Sequence, residues 1–253
     1  MGSLGMLVNN NAVIITGGAR GIGLALAEAF AARGNGVAIL DIDAAAAETA
    51  AAGLRQSGHN AIAYRCDVSD PDEVNKVVAQ VADDFGGIGF LVNNAGLHST
   101  HYSRSFRDVG NADTRKAFDV NVHGVIQCSL ACQPWLAKTQ GVVVNMSSTA
   151  GFHNTSPYGV TKLAVRGLTT AFATEFAADG IRVNAVAPGG IATETILKEI
   201  PQARIDALVQ SQLIKRMGQE DDVVSMVMFI CSDHASFMTG ETIKLSGGRI
   251  LYI

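Results

Sequence analysis

Charge is scarce in this sequence and nowhere concentrated. Only 17% of the 253 residues are charged, the formal net charge is −4, and no basic block occurs. The chain therefore lacks the electrostatic surface that nucleic acid or an anionic membrane would need, and neither partner is expected. Long hydrophobic runs are missing too: although 48% of residues are hydrophobic, no run reaches the length of a membrane span. Cysteine is limited to Cys66, Cys128, Cys132 and Cys231. None forms a Cys-x-x-Cys pair, and no histidine stands at ligand spacing beside Cys128 and Cys132. Buried free thiols and no catalytic metal are the expectation. Linkers are absent as well. The one low-complexity patch, residues 44–52, is alanine-rich with Glu48 inside it and reads as helix. The first eleven residues have neither a positive start nor an apolar signal core, so a cytoplasmic protein is expected.

What is present is alternation. Short apolar runs at residues 12–15, 37–40, 61–64, 90–92, 142–145, 182–186 and 241–245 read as strands. Several are apolar almost throughout, as strands covered on both faces must be. Between them, residues 24–33, 71–84, 112–138, 158–178 and 221–231 carry helical patterns. Strand–helix alternation of this kind implies α/β architecture: one doubly wound, Rossmann-type domain over residues 1–253, with a parallel sheet flanked by helices.

The first expected strand runs into Thr16-Gly17-Gly18-Ala19-Arg20-Gly21-Ile22-Gly23, and a helix opens at once. Gly17 permits a tight turn, Gly21 lets the backbone approach a pyrophosphate, and Gly23 lets the helix pack closely on the strand. The helix N-terminus offers free N–H groups and partial positive charge to the phosphates. Asp41 follows the second expected strand, where a carboxylate accepts hydrogen bonds from both adenosine ribose hydroxyls. It would repel a 2′-phosphate, which favours NAD over NADP. Arg20 argues the other way, since a cation there could attract that phosphate or serve the pyrophosphate.

Tyr158 and Lys162 stand four apart, on one face of an expected helix. A nearby ammonium, with the positive nicotinamide ring, would lower the tyrosine pKa and make it a general acid/base. Ser156-Pro157 would cap that helix and fix its first turn.

With these segments in view, the chain resembles the short-chain dehydrogenase/reductase family over nearly its whole length. The matching segments come in the family's order: residues 16–23, Asp41, Asp67-Val68, Asn93-Asn94-Ala95-Gly96, Asn121, Ser147-Ser148, Tyr158 with Lys162, and Pro188-Gly189-Gly190-Ile191-Ala192-Thr193. The resemblance implies roles. Asp67 and Val68 meet the adenine; Asn94, Ala95 and Gly96 line the cofactor side of the sheet. Ser148 donates a hydrogen bond to the substrate oxygen, and Tyr158 exchanges a proton with it. Lys162 holds the nicotinamide ribose, and Asn121 holds a water in a proton relay. Ile191 and Thr193, in the stretch opened by Pro188 and Gly189, hold the nicotinamide carboxamide. Homotetramers are also implied, with the apolar C-terminal segment at one interface.

Two departures stand out. Ser148 and Tyr158 are ten residues apart, whereas the family usually has about twelve or thirteen, so one wall of the substrate pocket is altered. The usual Asp-Gly-Gly near the carboxyl end is Ser246-Gly247-Gly248. Substrate contacts are expected from residues 97–106, 149–154 and 190–217, the last as a closing lid. His98, Phe152 and His153 suggest an aromatic wall with polar points. No arginine cluster stands out, which favours a neutral alcohol or ketone. The leading reading is an NAD-dependent oxidoreductase that interconverts a secondary alcohol and a ketone. The alternatives are an NADP-dependent ketoreductase and a non-catalytic NAD(H)-binding sensor, which would have no need for Asn121, Ser148, Tyr158 and Lys162 together.

Overall fold

The computed structural model describes residues 11–97, 100–153 and 155–249. Seven strands form one sheet: β1 (Ala12–Thr16), β2 (Val37–Asp41), β3 (Ala61–Arg65), β4 (Ile88–Asn93), β5 (Val142–Met146), β6 (Arg182–Pro188) and β7 (Thr242–Leu245). Their order is β3-β2-β1-β4-β5-β6-β7, and every neighbouring pair is parallel. The alternation of side chains along each strand feeds two cores. Val13 and Ile15 of β1, with Val37 and Ile39 of β2, face one. Ala12, Ile14, Ala38 and Leu40 face the other.

Helices cover both faces. On the first lie α1 (Gly21–Ala31), α2 (Ala44–Gln56) and, from the far end of the chain, the helix Glu220–Ile230. On the second lie α3 (Pro71–Phe85), α5 (Gly124–Thr139) and α6 (Pro157–Glu175). The helix expected at residues 112–138 is interrupted. Gly110 has φ 76° and kinks α4 (Phe106–Phe118), and a π turn at Asp119–His123 separates α4 from α5. Such π turns recur at functional sites, and Asn121 lies in this one. Helix α5 starts close against α3's approach: a Cβ on Gly124 would lie 2.8 Å from Val68 Cγ2.

Residues 192–217 leave the sheet edge and return to it at one point. Gly218 N–H donates to the Gly190 oxygen (3.0 Å), and Ala192 N–H donates to the Gly218 oxygen (2.8 Å). This excursion contains two short helices, α7 (Glu194–Glu199) and α8 (Gln202–Gln210); the helix Glu220–Ile230 that follows is α9.

A buried polar chain ties the sheet to its second helical layer. Asn93 Nδ2 donates to Ser129 Oγ (3.1 Å) and to Asn145 Oδ1 (2.9 Å), and Asn145 Nδ2 donates to Thr169 Oγ1 (3.0 Å). Asn145 is the shared member between β4 and α6. Asn145→Ala leaves an Asn93 amide hydrogen without its acceptor in the core, while Thr169 keeps its bond to the Val165 oxygen, and should lower stability by about 1–3 kcal/mol in urea denaturation. A change below about 0.5 kcal/mol would show that the chain of bonds contributes nothing.

Candidate active site

The glycine turn is built by close packing. A Cβ on Gly23 would stand 2.2 Å from the Gly17 oxygen, so α1 can seat on β1 only with glycine there. Gly17 itself has φ 61°, a left-handed conformation that glycine adopts without strain. Asn94 Nδ2 donates to the Thr16 oxygen (3.1 Å) and the Gly17 oxygen (2.9 Å), pinning the turn to the end of β4. At Gly21, with φ 54°, a Cβ would make only ordinary contact, 3.8 Å from Glu220 Oε1 and Thr193 Cγ2. Arg20, the residue before α1, gives the helix no side-chain cap, so its first N–H groups are left without a side-chain acceptor from that position. The turn fits a dinucleotide pyrophosphate.

Asp41 ends β2 beside this turn. Its carboxylate accepts from Ala19 N–H (3.3 Å) and Asp43 N–H (3.1 Å). Arg20 pairs with Asp43 at 2.5 Å. Asp43 in turn caps α2 through Ala46 N–H; that bond first, and Arg20 second, hold its carboxyl below the ordinary range. Asp67 accepts from Ser69 N–H (2.9 Å) and Ser69 Oγ (2.6 Å), which shapes the turn after β3.

A cavity of about 500 Å³ opens at the carboxyl edge of the sheet. Ser148, Tyr158 and Lys162 line it together with Ile22, Asn94, Gly96, Pro188, Gly189, Ile191 and Thr193. Part of the expected cofactor set thus shares one cavity with Ser148, Tyr158 and Lys162, while Gly17, Arg20, Gly21, Gly23, Asp41, Asp67, Val68, Ala95 and Asn121 are not on its lining. Ser156 Oγ accepts from Gly159 N–H (3.1 Å), and Pro157 opens α6. This is the cap expected from the sequence, and it sets the first turn that presents Tyr158. Burial raises the pKa of the Tyr158 phenol, and the Ser148 hydroxyl beside it opposes that rise without cancelling it. Ser147 instead spends its hydroxyl on the Lys162 oxygen (2.8 Å).

The downward shift expected for Tyr158 is not seen in this arrangement. The Lys162 ammonium lies 5.8 Å from the Tyr158 ring centre and donates to the Met146 oxygen at 2.7 Å. Burial outweighs it. Burial also pushes Lys162 itself down to about 8. Asn121 is a strut. Its Oδ1 accepts from Leu97 N–H (2.7 Å), and its Nδ2 donates to the Leu97 oxygen (3.0 Å) and Thr161 Oγ1 (3.1 Å). Gly96 sits between the two side chains: a Cβ there would be 3.2 Å from Asn121 Oδ1 and 3.4 Å from Lys162 Nζ.

The expected aromatic wall is replaced by an aliphatic one. Ile196, Ile200, Ile205, Leu208 and Met217 line the cavity. Phe152 lies under the Arg166 guanidinium at 3.7 Å, His153 is exposed, and neither is on the cavity wall. His98 falls outside the described residues. From the 97–106 loop, Thr100 and Ser103 line the cavity, whereas His101 is engaged by Asp113 (2.6 Å) and Arg104 (2.5 Å). The wall also holds Arg204 and Arg249, which sequence reasoning missed. They are remote in the chain, and no local pattern marks either. Among the described residues, no group of three or more His, Cys, Asp or Glu could hold a metal ion, and no helix is long and apolar enough to cross a membrane.

Residues 17–249 match the family model described as enoyl-(acyl carrier protein) reductase. An uncharacterized oxidoreductase of Mycobacterium tuberculosis is 37% identical over 246 residues, covering 97% of this chain and 99% of that protein. The cis-4-hydroxycyclohexanecarboxylate dehydrogenase of Sinomonas cyclohexanicum is 36% identical, covering 93% of this chain and 94% of its own. The chain belongs to the short-chain dehydrogenase/reductase family. Among solved structures, a 7α-hydroxysteroid dehydrogenase complexed with NADH and 7-oxo glycochenodeoxycholic acid superposes with TM-score 0.88 at 32% identity, covering 94% of this chain and 93% of that one. Membership brings with it a nicotinamide cofactor, which the glycine turn fits.

The Lys162 shift has a consequence for stability. In the unfolded chain this ammonium releases its proton near pH 10.4, but in the fold at about 8. Between those values the folded chain has already lost the proton that the unfolded chain still holds. Stability contributed by this residue therefore rises with pH across that window, by up to about 1.4 kcal/mol per pH unit. Lys162→Met should remove that rise. The stability of the unsubstituted protein minus that of Lys162→Met, measured in urea, should rise with pH above about 8; a difference independent of pH would refute the shift.

Proposed function

We propose that this protein is an NAD-dependent oxidoreductase acting on CH–OH groups, interconverting a secondary alcohol and a ketone. The observation that supports this most directly is the convergence of Ser148, Tyr158 and Lys162 on one cavity with Ile22 and Thr193 at its cofactor edge. The nicotinamide cofactor, when bound, supplies or accepts the hydride. Ser148 donates a hydrogen bond to the substrate oxygen and stabilises charge developing there. Tyr158 gives its phenol proton to that oxygen in reduction and takes the alcohol proton in oxidation. Lys162 holds the nicotinamide ribose hydroxyls, Asn121 supports the relay that resupplies the proton, and Ile191 and Thr193 orient the carboxamide. Residues 190–217 act as the lid.

Asp41 supports NAD, with Asp67 and Val68 on the adenine and Ala95 and Gly96 beside it. The Arg20–Asp43 pair engages the guanidinium that argued for NADP, although an exposed pair of this kind is weak. Four buried free thiols suit a reducing compartment such as the cytoplasm. Exposed Phe106, Leu130 and Phe237 suit the subunit contacts of a homotetramer.

Tyr158→Phe should lower kcat by about 10³-fold and leave NADH binding, measured by fluorescence titration, in place. Retained turnover would refute the acid/base role. Ser148→Ala should cost about 10²–10³-fold, while Ser147→Ala should register chiefly as lost thermal stability. An equal kinetic loss at both serines would undo the assignment. The unsubstituted enzyme should prefer NAD to NADP by about 100-fold in kcat/KM, and Asp41→Ser should collapse that ratio. A native preference for NADPH would overturn the cofactor reading.

A further inference from the structure

The hydride chemistry leaves two cations on the cavity wall without work. Arg204 lies on α8, and Arg249 lies in the turn after β7. Both residues are exposed, and neither side chain has a hydrogen bond or ion pair among the described residues. Other arginines nearby are committed. Arg216 is paired with Asp222 through two bonds (2.7 and 2.8 Å), and Arg166 donates to the Gly151 oxygen (3.0 Å).

Among the described residues, the cavity's charged lining is of one sign. It includes Lys162, Arg204 and Arg249 and no Asp or Glu, in a chain with 23 acidic and 19 basic residues. A cofactor pyrophosphate would take up the glycine turn around Gly21, which neither arginine adjoins in the chain. The elements that bear them meet elsewhere. Helix α8 rests on the end of β6, where a Cβ on Gly190 would be 2.1 Å from Leu208 Cδ2. The segment just after α8 bonds the C-terminal turn: Leu213 and Ile214 N–H both donate to the Gly247 oxygen (2.8 and 2.9 Å). The two guanidinium-bearing elements are therefore neighbours on the lid side of the cavity.

We infer that Arg204 and Arg249 form an anion-binding subsite and that the substrate is a hydroxy acid or keto acid with an apolar body. The inference rests on the proposed alcohol–ketone chemistry for the position of the reacting oxygen. That oxygen lies at Ser148 and Tyr158. The hydrocarbon lies along Ile196, Ile200, Ile205 and Leu208, and the carboxylate meets the two guanidinium groups. Guanidinium groups suit this task because their planar N–H donors match a carboxylate.

The test uses matched pairs of keto acids and their methyl esters, with ring and open-chain bodies, bound to the Tyr158→Phe variant carrying NADH. Calorimetry in this variant reads affinity without turnover. The acids should bind at least about tenfold more tightly than their esters, and Arg204→Gln and Arg249→Gln should each reduce that preference by about tenfold. Arg204→Glu should invert it. Arg107→Gln, an exposed site on α4 off the cavity wall, should leave it unchanged. Neither cavity arginine's side chain has a hydrogen bond or ion pair among the described residues, so circular dichroism should show all variants folded. Equal affinity for acids and esters, a preference indifferent to both arginines, or no binding of either series would overturn the inference. NADH consumption by the unsubstituted enzyme separates the two readings. Turnover of esters without an acid preference removes the subsite and keeps the hydride chemistry. Arginine-dependent acid binding without turnover of either series removes the hydride chemistry and keeps the subsite.

Discussion

The contact between Gly23 and the Gly17 oxygen governs the carboxyl edge of this molecule. With no side chain at Gly23, α1 seats against β1 and aims its N-terminal N–H groups into the crevice. The sheet order makes that crevice. From β1 the chain builds outward through β2 and β3 on one side, then crosses back to lay β4 on the other. The loops after β1 and β4 diverge, and the gap between them is where open parallel sheets bind ligands. Asn94 bridges the gap's floor through the Thr16 and Gly17 oxygens, so the turn and the switch point are held as one unit.

From that unit, rigidity spreads along a row of polar side chains. Asn93, next to Asn94, begins the buried chain through Asn145 to Thr169 on α6. Asn121 makes a second link, from Leu97 after β4 to Thr161 on the same helix. Helix α6 bears Tyr158 and Lys162, so both links serve the placement of those two side chains. Buried hydrogen bonds of this kind add little net stability but cost much when half-broken. They therefore specify position more than they stabilise, and position is what a proton-transferring pair requires.

Most of this was legible in the sequence because it is local. Apolar runs gave the strands, and β1 and β5 fall within one residue of the expected bounds. The Ser156-Pro157 cap and the glycine turn depend on neighbours in the chain, and their chemistry is written in consecutive letters. The illegible parts depend on distant contacts. The π turn at Asn121 follows from packing of Val68 on Gly124 and from bonds to Leu97 and Thr161. The direction of the Tyr158 shift depends on how deeply two side chains are buried, which a spacing of four residues does not reveal. Arg204 and Arg249 meet a common cavity only because α8 and the C-terminal turn are tied together.

The path of the chain between Ser148 and Tyr158 keeps Phe152 off the cavity wall. The chain uses its first residues there in a 3₁₀ turn, Thr149–Phe152, that lies flat on α6. A Cβ on Gly151 would lie 2.8 Å from the Lys162 carbonyl carbon, so glycine lets the turn press onto the helix backbone. Arg166 then fastens it, donating to the Gly151 oxygen and stacking on Phe152. Held this way, the turn gives the cavity Thr149, while Phe152 is drawn to Arg166 on the helix. Aliphatic side chains of α7 and α8 complete the wall. The same helices bring a cation to the mouth. Shape and charge at this mouth are thus set by α7 and α8, with the C-terminal turn adding Arg249.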